Sequence, residues 1–135
     1  MRHFTTLFVL AALASTSCGS DDPVNLPSQP SPVTIVQTFD GTLTVNGAQT
    51  HNFPVERPGT VSAQVKTLSD AAATLGISLG TWNGVACQII ISNTAAVLNT
   101  TVTGTATTAG QFCVWLNDVG KLTSGIDYSV DVTHY

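Results

Sequence analysis

The sequence predicts an all-β sandwich of about eight antiparallel strands, and three observations predict it. Beyond Pro32 apolar residues recur at every second position, the period at which a pleated strand alternates its two faces. Asn-Gly, Pro-Gly and other turn signals interrupt that pattern at the spacing of a sandwich. Only 9% of residues are Asp, Glu, Lys or Arg, a balance that suits half-buried strands better than helices with solvated faces.

The elements follow in chain order. Residues 1–17 begin with a positive tip at Arg2, continue through an apolar run from Leu7 to Ala14 and end in small residues, the three-part pattern of a secretory signal. The apolar run is far shorter than the roughly 20 residues that cross a bilayer. Ser15-Thr16-Ser17-Cys18 resembles a bacterial lipobox, which implies a diacylglycerol thioether on Cys18 and cleavage just before it. Ser15 stands where that pattern prefers leucine, so ordinary cleavage after Ala14, leaving a free Cys18 thiol, is the alternative. An odd count of three cysteines favours lipidation, because a lone thiol in an oxidising compartment is a liability unless chemically occupied. Residues 18–32 then form a tether. Four prolines and no apolar periodicity leave it too little buried surface to offset its ordering entropy.

The sandwich is expected over residues 33–135. Ile35, Phe39, Gly41, Leu43 and Val45 share one parity, and Asn46-Gly47 supplies the positive backbone angles of a tight hairpin turn. His51, Phe53 and Val55 follow, then Pro58-Gly59, then Val61, Ala63 and Val65; these read as adjacent strands. Ser69–Ala73 begins with capping residues but meets Gly76 within two turns, and is read as a turn. Leu75, Ile77 and Leu79 alternate with small residues, and Asn83-Gly84 leads into the run Val85–Ile91, whose lack of alternation suits a central strand covered on both faces. Val97–Thr105, Gly110–Leu116 and Ile126–Val132 complete the set.

Charge narrows the function. From Cys18 onward three basic residues (Arg57, Lys66, Lys121) face eight acidic ones, five negative charges net. Phosphate recognition needs clustered Lys and Arg, so nucleic acid is excluded as a partner, and the membrane is reached only through the lipid. Cys87 and Cys113 lie in different predicted strands of an exported chain and are expected to pair. They close a loop of about 27 residues, which stabilises by roughly 3–4 kcal/mol in the chain-entropy model. Two buried free thiols or a reactive pair are the alternatives, and no Cys-x-x-Cys spacing supports the latter.

The order of short motifs carries a resemblance. Phe39-Asp40-Gly41-Thr42-Leu43, His51-Asn52-Phe53-Pro54-Val55, Leu75-Gly76-Ile77-Ser78-Leu79, Gly110-Gln111-Phe112-Cys113-Val114-Trp115-Leu116 and Tyr128-Ser129-Val130-Asp131-Val132 together resemble the bacterial pre-peptidase C-terminal domain. The resemblance covers nearly all of residues 35–135. It implies a jelly-roll-like β-sandwich without catalytic residues, in an accessory role beside secreted peptidases. No peptidase precedes the domain in this sequence, so the accessory role does not carry over intact.

Four groups of residues carry possible chemistry. Gly76-Ile77-Ser78-Leu79-Gly80 matches the Gly-x-Ser-x-Gly of serine hydrolases, with Asp127 and His134 following in order. A nucleophile elbow needs a strand, a sharp turn and a helix, whereas strand alternation runs straight through Ser78, which reads as a solvent-facing serine. Asp127, Ser129 and Asp131, with Asp40, Asp70 or Asp118, offer oxygens for calcium; the competing reading is a solvated strand face that resists aggregation. No other cofactor is expected. His51 reads as half-buried packing and His134 as a partly exposed terminal residue. Trp82 beside the turn and Trp115 on the parity opposite Phe112, Val114 and Leu116 are the candidate ligand contacts, since exposed indoles stack on sugar rings.

These readings converge on a non-enzymatic, lipid-anchored module of the bacterial cell envelope, periplasmic or surface-facing, that acts as an accessory or binding unit for an extracellular polymer or protein. A carbohydrate-binding module using Trp82 and Trp115 is the alternative, and hydrolysis through Ser78 a third.

Overall fold

The computed structural model describes Ser28 and residues 30–135. The predicted leader, Cys18 and the tether through Pro27 lie outside the described residues. The described chain forms eight strands: β1 (Ile35–Leu43), β2 (Ala48–Val55), β3 (Gly59–Leu68), β4 (Leu75–Trp82), β5 (Cys87–Ala96), β6 (Thr101–Ala106), β7 (Gly110–Asn117) and β8 (Ile126–His134). They build two antiparallel sheets, ordered β1-β8-β3-β6 and β2-β7-β4-β5. β1 pairs with β8, β2 with β7, β3 with β6 and β4 with β5. First meets last and second meets seventh, as in a long hairpin wound about a barrel axis, which is the strand order of a jelly roll.

Period-two alternation explains which faces meet. Leu43 of β1, Phe53 and Val55 of β2, Val61, Ala63 and Val65 of β3, and Val114 and Leu116 of β7 are all buried between the sheets, each on the parity read from the sequence. Tyr128, Val130 and Val132 of β8 close the same core.

Four local expectations are corrected. Asn46-Gly47 does not make a hairpin, because β1 and β2 belong to different sheets. Only Asn46 takes a positive φ, 56°, and Gly47 N–H donates to Thr44 O at 2.9 Å; a positive angle at the third turn position alone is the type II arrangement, which lacks the paired angles that fit a two-residue hairpin. β2 and β3 are likewise in opposite sheets, so the first three strands are not adjacent partners. Val85–Ile91 is not a central strand. β5 is the edge of its sheet, with Ile89 and Ile90 exposed, and the strand buried on both faces is β4, where Leu75 through Gly80 are all buried. Residues 97–100 are a turn, with Asn99 at φ 67°, rather than the opening of β6.

The β4–β5 connection is a true hairpin. Asn83 Oδ1 accepts the Val85 and Ala86 N–H groups at 2.9 and 2.8 Å, and Gly84 takes φ +95°. Ser69–Ala73 forms the predicted turn, where Ala72 N–H donates to Asp70 Oδ1 and Ala73 N–H to Asp70 O.

Candidate functional site

The outer face of the β2-β7-β4-β5 sheet gathers the residues singled out from the sequence. Cys113 and Trp115 alternate with the inward Phe112, Val114 and Leu116 on β7, so both project outward. Across the ladder Cys113 stands opposite Gly80, and Trp115 opposite Ser78. Trp82 lies on the same parity of β4 as Ser78 and Gly80, opposite Cys87. Trp82 and Trp115 therefore share one face, and both are partly exposed. Their backbones are four residues apart along the strand direction, about 13 Å at 3.3 Å per residue, and one strand apart across it.

The Cys87–Cys113 disulfide lies between them, with Cα atoms 5.7 Å apart. Strands β5 and β7 flank β4 and would ordinarily stand about 9.6 Å apart, two strand spacings. The start of β5 closes that gap by leaning over β4, and Gly80 makes it possible: a Cβ there would run into the Gln88 carbonyl and the Ile89 backbone. Cys113 is fully buried on this side although it points away from the core.

Ser78 is corrected by the same geometry. It is not solvent-facing but fully buried, beneath the outer face, and its hydroxyl donates to Ser92 Oγ at 3.0 Å. His134 is not a loose terminal residue either. It is 1% exposed, its ring stacks on Phe53 with centroids 5.4 Å apart, and its Nε2 lies 3.2 Å from Gln37 Oε1. Asp127 is exposed on the outer side of the other sheet. Ser78, Asp127 and His134 thus occupy three separate faces of the sandwich and do not assemble.

The outer face of β8 carries Asp127, Ser129 and Asp131, as read, each held by a neighbouring strand. Thr42 and Thr38 hydroxyls donate to Asp127 and Asp131 at 2.6 Å, and Ser129 pairs with Thr67 at 2.7 Å. Asp118 is occupied elsewhere: its carboxylate accepts the N–H groups of Asn46, Gly120, Lys121 and Leu122. Those donors, Asn46 foremost, hold its pKa below the ordinary carboxylate value. Among the described residues no three His, Cys, Asp or Glu side chains converge as metal ligands.

One cluster escaped the sequence reading. His51 is half-buried as expected, but its ring stacks on Phe39 and its Nε2 sits 2.7 Å from Tyr128 Oη. Burial pushes the Tyr128 pKa up to about 12, with the Asp40 carboxylate adding to it. Burial also lowers the His51 pKa, against a smaller opposing pull from Asp40. Both shifts favour a neutral imidazole and a neutral phenol sharing this hydrogen bond. Gly41 makes room for this ring: it stands opposite Tyr128, and a Cβ there would fall 2.6 Å from the phenol oxygen, so a side chain at 41 would have to displace the phenol, a pairing that the sequence does not signal locally.

Linkage gives the pH dependence of stability its sign. The unfolded chain takes up a proton on His51 near pH 6.5 before the folded one does, so stability falls as pH drops below that value. The unfolded chain releases the Tyr128 proton near pH 10 while the fold keeps it to about 12, so this contribution is complete below pH 10 and is lost between the two. Urea midpoints measured from pH 8 to 12 are expected to decline across that alkaline window. Tyr128→Phe is expected to start less stable and to lose this part of the decline.

Fold and face together describe a jelly-roll β-sandwich strapped by one disulfide. No family model matches the chain, and no curated protein matches it. Its architecture is similar to that of the Yersinia pseudotuberculosis-derived mitogen, whose crystal structure aligns with a TM-score of 0.60 at 16% identity, covering 76% of this chain and 88% of the mitogen. At that identity the likeness is one of fold alone.

Proposed function

We propose that the chain is an exported, lipid-anchored, non-catalytic binding module that holds an extracellular polymer or protein. The observation that carries the binding role is the shared face of Trp82 and Trp115, two part-exposed indoles on one sheet with only glycine, serine and the disulfide between them. Large flat rings on a rigid strand scaffold contribute contact area at low entropic cost. The Cys87–Cys113 bridge supports an oxidising, extracytoplasmic setting, and the lipobox-like Ser15-Thr16-Ser17-Cys18 supports the anchor. The ordered motifs that resemble the pre-peptidase C-terminal domain support an accessory role.

The same pair of tryptophans favours a second reading, a carbohydrate-binding module. Sugar rings stack on indoles, and two such platforms whose backbones stand about 13 Å apart along the strand suit non-adjacent residues of one glycan chain. Ser78, sealed beneath the face, offers no nucleophile in either reading.

One preparation tests anchor and ligand together. The Cys18→Ala chain is expected in the soluble fraction where the wild type partitions to membranes; unchanged partitioning would sink the anchor. That soluble protein is then incubated with insoluble cell-wall and plant polysaccharides and with an envelope extract. Retention on one glycan, reduced at least ~10-fold by Trp82→Ala or Trp115→Ala, identifies the carbohydrate module. Recovery of a protein partner alone identifies the accessory module, and retention of neither removes the binding role.

A further inference from the structure

We infer that the β5 edge is a self-association surface, and that two copies of this chain pair antiparallel along β5 into one eight-stranded sheet. Sheet edges expose unpaired backbone N–H and C=O groups, and proteins ordinarily guard them with short strands, charges or proline. Three of the four edges here carry one of these devices, and the fourth, β5, has only the two bulges in its pairing with β4. β1 carries Asp40, β2 carries Pro54, and β6 has six residues. β5 has ten residues, without proline or charge.

Its side chains agree with its backbone. Ile90 is 67% and Ile89 47% exposed, with Val85 at 86% and Val97 at 44% just beyond the strand ends. The register shift between Leu79 and Gly80 leaves Ile90 without a partner on β4. Its side chain lines a small apolar recess of about 30 Å³ with Val61, Ile91, Ala106 and Phe112, at the open margin between the two sheets. A monomer leaves this isoleucine wet on the side that faces away from the recess.

Charge selects the occupant. From Ala71 to Asn117 there is no Asp, Glu, Lys, Arg or His, so β5 and both connections flanking it are neutral. Elsewhere the mature chain is acidic, and most approaches of two copies bring like charges together. At β5 a second copy meets neither repulsion nor an unpaired charge to desolvate. An antiparallel strand pair is also self-complementary: a two-fold axis perpendicular to the sheet sets each N–H of one copy opposite a C=O of the other and the reverse, as an isologous interface requires. That axis leaves the outer faces of both copies looking the same way, so the dimer would carry four indoles on one side. The pairing itself does not rest on what those indoles bind.

Sedimentation of the full chain carrying Cys18→Ser tests this, since the variant has no lipid whichever way Cys18 is read. A dimer is expected at tens of micromolar. Ile90→Lys would bury a charge at the centre of the pairing, and Thr94→Lys adds one to an exposed position on the same strand. Each is expected to weaken dimerisation at least ~100-fold while leaving the far-UV spectrum of the fold intact. Thr94→Lys keeps the test decisive if Ile90→Lys unfolds. Amide exchange over 88–94 is expected to slow as wild-type concentration rises. A wild type that stays monomeric to about 1 mM, including one that captures a foreign strand at β5, overturns the inference. So does a dimer that survives both lysines with exchange in β5 unchanged.

Discussion

Cys87→Ala/Cys113→Ala is expected to lower the stability of the sandwich by about 3.5 kcal/mol, the chain-entropy value for a bridge across this loop. The bridge spans a sequence separation of 26, and its removal frees the denatured chain to sample a loop that it now holds closed. A second contribution is native: the bridge ties down the start of β5 where it leans over Gly80, and Cys113 is fully buried beneath the strap. Alanine is chosen over serine because a hydroxyl at position 113 would be buried without an assured partner. Urea unfolding of the oxidised wild type against the double alanine variant checks the value, and a difference under about 1 kcal/mol would show that the strap is not a stability element. Reduction of the wild type is expected to reproduce the variant's midpoint.

The strand faces were legible because the pleat imposes its period on the chain locally. Phe39 and Leu43, Phe53 and Val55, and Val61, Ala63 and Val65 point inward for reasons present within a few residues. The partners of those strands were not legible, because no local signal says that Ile35 lies opposite His134 or Gly41 opposite Tyr128. His134 reads as a frayed end until that pairing draws it between the sheets, onto Phe53. The misreading of β4 and β5 has a different cause. Burial on both faces was sought in the most apolar run, yet β4 achieves it with Gly76, Ser78 and Gly80, residues small enough for Trp115, Asn117 and the β5 backbone to come down over them. Ile89 and Ile90 of β5 are exposed, and their apolar character has another reason, which the inferred dimer supplies. Of the candidate site, the disulfide and the outward parity of Trp115 were readable; that Trp82 shares its face depended on a register that only the folded sheet provides.

Phe53→Ala is expected to be the most damaging single substitution in the core, costing about 3–5 kcal/mol. Phe53 is 1% exposed and sits at the centre of the inter-sheet aromatic cluster. Its ring stacks on Phe112 at 6.4 Å and on His134 at 5.4 Å, and tilts against Phe39 at 6.2 Å. Those three partners come from β7, β8 and β1, so one truncation opens a cavity that both sheets border. It also removes the apolar cover of a buried imidazole. Phe53→Leu, which keeps most of the volume but not the stacking, is expected to fall between wild type and alanine. Ile90→Ala, by contrast, is expected to change monomer stability by less than about 1 kcal/mol despite removing a comparable aliphatic chain, because two thirds of that side chain is already in water. Denaturant midpoints for the three variants, taken at a concentration where the wild type is monomeric, decide the matter. If Ile90→Ala proves as costly as Phe53→Ala, β5 belongs to the core rather than to an edge.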